Sequence, residues 1–283
     1  LIEASVAMLD MRQHSGEHPR LGVVDVCPFI PLRDVSMEAC ADMARTVVAR
    51  LAERGDIPLF LYGAAASCDE RTVLSRLRKG EYEGLEARLK GTDTVHDDDT
   101  RLPDAGAMAW TETVARSGGI TVGARPILVA YNVNVDEKDA RVARKIGSIV
   151  RTSGRMLKSE QGGKIRSHGM LKGVQGMGVP VEELGISQVS MNLLNVKDCP
   201  LHLAFKTCES LANDHETSLC GSEIVGLVPL QAMISAGEFF DPEAEDERAK
   251  VAAAVKGLGL NHHHRFVPDE HIIEWALDRE VIQ

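Results

Sequence analysis

The chain has 283 residues, 44% of them hydrophobic, and a formal net charge of -10, which is enough apolar material for one large or two modest cores. That charge excludes a general phosphate-backbone binder, since nucleic-acid affinity rests on lysine and arginine displacing counterions. No apolar run reaches the ~20 residues a bilayer helix requires, and the start lacks a basic n-region and a signal h-region, so no membrane partner and a cytoplasmic location are expected.

Leu1, Ile2, Ala4, Ser5, Val6 and Leu9 read as a helix already under way without a capping signal, so upstream sequence is expected to be missing. "VVDVCPFIP" then alternates and ends in two prolines, the pattern of a strand with a fixed end. Ser36 caps a helix with Met37, Cys40, Ala41, Ala44, Val47, Val48 and Leu51 on one face, and Gly55 stops it. "IPLFLY" is a short buried strand. Residues 91–119 are acidic, glycine-containing and aperiodic, and are expected to form a long surface loop with one helical turn.

From Pro126 regular structure returns. The strand "ILVAYNVNV" leads to a helix from Asp136 burying Val142, Ile146, Ile149 and Val150, then to the strands "LKGVQGMGV" and "ISQVSMNLLN". A helix from Pro200 carries Leu201, Ala204, Phe205, Cys208 and Leu211 on one face, and "SLCGSEIVGLV" is a fourth strand. This β-α-β-β-α-β order is that of a split-βαβ, ferredoxin-like sheet with both helices on one face and the other face free to pack. Helical stretches near 230–240, 243–258 and 269–277 close the chain.

Among residues that carry chemistry, His18, flanked by Glu17 and Arg20 at a strand entrance, reads either as a proton acceptor or as a loop-capping histidine beside a surface ion pair. Asp25 and Arg33 are open in the same way. Asn132 and Asn134 share one sheet face, as do Gln188, Ser190 and Asn192; such polar ladders offer donors and acceptors to a ligand or tie two sheets together. Glu223, after Gly221 and Ser222, orients a cation or faces water. The run Arg155–Lys172 holds five lysines and arginines against one glutamate and reads as a solvated connection or an attractor for an anionic tail. Six cysteines without a Cys-x-x-Cys pair suit buried reduced thiols rather than disulfides or zinc. His262, His263 and His264 lack the i, i+4 spacing of a helical metal site, and adjacent histidines point apart, so no metal is expected. No phosphate-binding glycine loop is present, so no nucleotide is expected.

"DMRQHSGEHPRLGVVDVCPFIPL", "GEYEGL", "VGARPILVAYNVNV", "QVSMNLLN" and "GSEIVGLVPL", in this order, make the chain resemble the glutamate formimidoyltransferase family, nearly end to end. The resemblance implies an α/β (α+β) fold of two ferredoxin-like-type α/β subdomains, 1–124 and 126–283, with sheets facing a ligand cleft. It implies transfer of a formimidoyl group between N-formimidoyl-L-glutamate and tetrahydrofolate, the latter as co-substrate, in a homodimer. The histidine of the family's Glu-His-Pro-Arg motif, its proposed general base, falls on His18, with Arg20 and Asp25 beside it. The folate-contacting segment falls on Asp104, Gly106, Ser117, Gly118 and Gly119. Apart from the resemblance, the polar ladders of Asn132, Asn134, Gln188, Ser190 and Asn192, with Glu223, are expected to add to the binding set, and the basic run near Lys164 to be available to the folate's glutamate tail. Family members begin with a Pro-Asn-Phe-Ser strand and a second strand with an Asn-Arg pair. This chain has neither, so a sheet lacking its first strands is expected. A non-catalytic relative that binds folate or a partner protein through the same cleft is the alternative reading.

Overall fold

Ser36 stands where the α-helix after the first strand must begin, and its Oγ accepts from the Ala39 amide at 3.1 Å. The computed structural model describes residues 1–16, 19–93, 99–159 and 162–281, and the chain divides into two units, Leu1–Pro126 and Ile127–Gln283. The first contains α1 (Ile2–Met8), β1 (Asp25–Phe29), α2 (Met37–Ala52), β2 (Pro58–Gly63), α3 (Leu74–Leu77), α4 (Leu85–Leu89), β3 (Ala105–Gly106), α5 (Glu112–Ser117) and β4 (Ile120–Ala124). The sheet order is β1-β4-β2-β3, with β4 parallel to both β1 and β2 and β3 antiparallel to β2. Cys40, Ala41, Ala44 and Val48 of α2 pack with Leu59, Ile120 and Val122, while Phe60 and Tyr62, one position out of phase with Leu59, pack with Leu21, Leu77, Leu85 and Val114. Cores on both faces explain why β2 reads as an unbroken apolar run rather than an alternation. Pro28 is tolerated because β1 ends the sheet.

The second unit contains β5 (Val129–Val135), α6 (Arg141–Val150), β6 (Arg155–Lys158), β7 (Lys164–Ser167), β8 (Val174–Val181), β9 (Ile186–Leu193), α7 (Leu201–Asn213), β10 (Leu219–Val225), α8 (Leu230–Phe240), α9 (Glu247–Gly257), α10 (Pro268–His271) and α11 (Ile273–Val281). Its main sheet is wholly antiparallel in the order β10-β5-β9-β8. That is the split-βαβ arrangement expected from the element order. Tyr131, Val133, Val189 and Met191 bury one face against residues of α6 and α7 such as Ile146, Ala204 and Cys208. Tyr131 is fully buried, and its hydroxyl donates to Ser222 Oγ at 3.0 Å, which avoids the ~1–3 kcal/mol cost of an unpartnered buried donor. Among the described residues the six cysteines are free thiols and no helix is long and apolar enough to cross a membrane.

Residues 120–124, left unassigned by the sequence pattern, form a strand whose five residues are all buried at the centre of the first sheet. Four expectations are corrected. Residues 91–119, of which 94–98 lie outside the described residues, are more than a surface loop: they supply β3 and α5, bury Val114 and Ser117, and use Thr111 Oγ1 to cap α5. The basic stretch from Arg155 is a two-stranded hairpin, β6 with β7, separate from the main sheet. The helix expected from Asp136 starts at Arg141, whose amide is held by Asp139 Oδ1 at 2.9 Å. The α/β class holds in both units, but the first unit's sheet is mostly parallel, so the antiparallel plan describes the second.

Candidate functional site

Glu17 and His18 lie outside the described residues; the chain on either side of them is described. Arg20 is the anchor of this segment. Its guanidinium forms a two-pronged contact with Glu83, at 3.0 and 2.6 Å, a third bond to Glu81 at 3.2 Å, and two bonds to His14, through Nδ1 at 3.3 Å and the carbonyl at 3.2 Å. Such a planar fork fixes orientation as well as position. The Glu83 hydrogen bond raises the arginine's pKa, and the same bond lowers that of Glu83. The partner turn is itself held: Tyr82 N donates to Arg20 O at 2.9 Å, Arg88 donates to the carbonyls of Leu77 and Lys79 at 2.9 and 2.7 Å, and Arg101 also donates to Lys79 O. Burial pulls Arg88 down to about 10. A surface cleft of about 750 Å³ adjoins Arg20, lined also by Asp10, Arg12, His14, Gly22 and Arg116.

Asp25 opens β1 with φ of 55°, in a tight three-residue turn closed by Val26 N on Val24 O at 2.7 Å, a strained geometry for a residue with a Cβ. Its carboxylate accepts from Leu21 N at 2.9 Å and pairs with Arg78. Asp104 accepts from Leu61 N at 2.7 Å and Ser67 Oγ at 2.6 Å and pairs with Arg71, stitching the approach to β3 onto β2. Ser117, Gly118 and Gly119 run against Leu21–Val23: Gly119 N donates to Leu21 O at 3.0 Å and Val23 N to Ser117 O at 2.8 Å. Gly106 sits in β3 opposite Pro58. The polar groups of Asp25, Asp104 and Ser117 are thus engaged by the protein itself.

The second unit brings its whole set together. Asn132 stands opposite Ser190 on one side and Glu223 on the other, Asn134 opposite Gln188, and Asn192 opposite Ala130 and Gln175. All therefore lie on the sheet face turned away from the Tyr131 and Val133 core, as the period of two requires. Gln188 Nε2 donates to Asn134 Oδ1 at 2.9 Å and Glu223 Oε2 at 3.2 Å. Asn134 and Gln188 are buried, while Asn132, Ser190, Asn192 and Glu223 are half-buried. The face offers amide donors, amide acceptors, a hydroxyl and one carboxylate. It suits a flat ligand with a mixed hydrogen-bonding edge.

Glu81, Glu83, Arg71 and Arg78 were not anticipated as parts of the site. The signal for the first two was weak: acids either side of Tyr82 in a glycine-flanked turn, far in sequence from the cation they hold.

Two family models match the chain, "Formiminotransferase domain, N-terminal subdomain" over residues 1–125 and "Formiminotransferase domain" over residues 130–278. Glutamate formimidoyltransferase of Streptococcus pyogenes serotype M1 is 36% identical over 240 residues, covering 85% of this chain and 72% of its own length. Formimidoyltransferase-cyclodeaminase of Rattus norvegicus is 38% identical over 277 residues, 95% of this chain and 47% of its own. That of Dictyostelium discoideum is 36% identical over 278 residues, 97% and 48%. The chain spans about half the length of these two-activity relatives.

Proposed function

The chain belongs to the formiminotransferase family, and from that premise we propose that it transfers a formimidoyl group between N-formimidoyl-L-glutamate and tetrahydrofolate. The observation that carries the reading is the in-register polar face of Asn132, Asn134, Gln188, Ser190, Asn192 and Glu223, backed by an opposite face that is apolar but for the Tyr131 hydroxyl, Ser187 and Ser222. A reduced pterin, with donors and acceptors along one edge, is the kind of ligand this face fits. His18 is the general base. As N5 of the folate attacks the formimidoyl carbon a C–N bond forms and N5 gives its proton to His18. The bond from that carbon to the glutamate nitrogen then breaks, and the same proton goes to that nitrogen. Holding both nitrogens about one carbon supplies much of the acceleration. Arg20 and Asp25 position the His18 segment, and Asp104, Gly106, Ser117, Gly118 and Gly119 shape the loop beside it.

The test is to mix the purified chain with both substrates and follow formimidoyl-tetrahydrofolate. Turnover is expected. Tetrahydrofolate binding without turnover would instead make the chain a folate-binding relative. Gln188→Leu leaves the buried Asn134 acceptor and the half-buried Glu223 acceptor without their shared donor, a loss of about 1–3 kcal/mol. It is expected to weaken tetrahydrofolate binding by roughly 10–100-fold in calorimetry. An unchanged Kd would assign the face to packing alone.

The hairpin adds a second expectation. Lys158 opposes Lys164 and Met156 opposes Arg166, so three cations share one face, which costs stability unless an anion lies against it. In this reading that anion is a polyglutamate tail. Replacing Lys164 and Arg166 by alanine is expected to cut affinity for polyglutamyl folate roughly 10-fold, at ~0.7 kcal/mol per cation. Monoglutamyl affinity should stay put; equal tail affinity in variant and parent removes the hairpin from the site.

A further inference from the structure

Neighbouring histidines point apart in a regular element, and a metal site is not expected of them there. In the structure His262 and His263 lie in the bends that follow α9, where the chain has no regular period, and their rings meet edge to face with centroids 4.6 Å apart. Cys220 joins them from β10. The strand's register shifts between Leu219 and Ser222, and this bulge re-aims the cysteine. Gly221 makes the bulge possible, with φ of 96° and no room for a side chain: a Cβ there would lie 2.6 Å from His262 Cβ and 2.7 Å from Gly259 O. Ser222 locks the two segments, its N donating to Gly259 O at 3.3 Å and its Oγ to Leu258 O at 2.6 Å.

The result is one sulfur and two ring nitrogens within 4.8 Å of one another, with Cys220 Sγ 3.8 Å from His263 Nε2. A tetrahedral zinc ion, with bonds of about 2.3 Å to sulfur and 2.0 Å to nitrogen, separates such ligands by roughly 3.5 Å. The trio therefore needs little more than rotation of the exposed His262 ring to close. We propose that Cys220, His262 and His263 form a three-ligand site for one zinc-class divalent cation, with the fourth position left to water. A sulfur with two imidazoles selects borderline-soft ions over magnesium or calcium. Binding forms one metal–sulfur and two metal–nitrogen bonds and releases the thiol proton of Cys220 to solvent.

The experiment strips the whole chain with a chelator and titrates it with zinc, then with cobalt(II) as a spectroscopic probe. One ion per chain and a near-ultraviolet cobalt–thiolate band are expected, and Cys220→Ser should abolish the band. His262→Gln and His263→Gln should each weaken zinc at least as much as the roughly 100-fold that loss of an outer-shell partner reaches, and His264→Gln should leave it unchanged. Melting of each variant without metal reports its folding independently of the ion. Absence of stoichiometric zinc overturns the proposal. So does binding that survives Cys220→Ser, or that depends on His264 as strongly as on His263.

Discussion

Replacing His18 by alanine is expected to lower the turnover of formimidoyl transfer by roughly 10²–10⁴-fold, the usual worth of one general base, while tetrahydrofolate affinity stays nearly unchanged. The separation of the two effects is the informative part. A residue that only capped its loop would, when removed, loosen the loop and change binding and turnover together. Arg20 and His14, on either side of His18, are tied to each other and Arg20 to Glu83 and Glu81, contacts that the substitution leaves in place. The pH profile gives a second readout: a general base works only in its unprotonated form, so the rising limb of the parent's profile should be lost in His18→Ala. Equal turnover in the two proteins, or a pH profile that keeps its shape, would take His18 out of the chemistry.

How much of this could be read from the sequence depends on the range of the interaction. The polar ladder of Asn132, Asn134, Gln188, Ser190 and Asn192 was legible because a strand's period of two fixes which side chains share a face. What the period cannot give is the register between strands, so the pairing of Gln188 with Asn134 and the approach of Glu223 to Gln188 emerge only in the fold. The Ser36 cap was legible for the same local reason. β4 was missed because its signal is a short apolar run between glycines, and the glycines serve close backbone approach rather than a turn. Arg20 with Glu83, Asp25 with Arg78 and Cys220 with His263 join residues 43 to 63 positions apart. No local pattern encodes such pairs. The rule that adjacent histidines diverge failed because it borrows the geometry of regular elements for a stretch that has none.

Gly118→Ala is expected to destabilise the first unit by roughly 4 kcal/mol or more, and the comparison that makes the number interpretable is Gly185→Ala. Both glycines have φ of 66°. Gly185, with ψ of 22°, occupies the ordinary left-handed region, and nothing lies within 4 Å of the Cβ it would gain, so alanine there costs only about 1 kcal/mol. Gly118 has ψ of -156°, a region essentially closed to other residues at a cost of about 1–3 kcal/mol. Its added Cβ would also lie 2.3 Å from Leu21 O and 2.5 Å from Gly22 Cα. Those are backbone atoms, with no rotamer to yield. Relief requires moving Leu21–Val23, which stretches the bonds from Gly119 N to Leu21 O and from Val23 N to Ser117 O, each worth about 1 kcal/mol, and withdraws the fully buried Leu21 from its cluster with Phe60 and Val114. With urea m-values of about 1–3 kcal/mol/M, the ~3 kcal/mol gap between the two variants should separate their unfolding midpoints by at least about 1 M. Coincident midpoints would mean that the crossing of Leu21–Val23 with Ser117–Gly119 yields easily. It could not then be what fixes the position of Leu21–Val23.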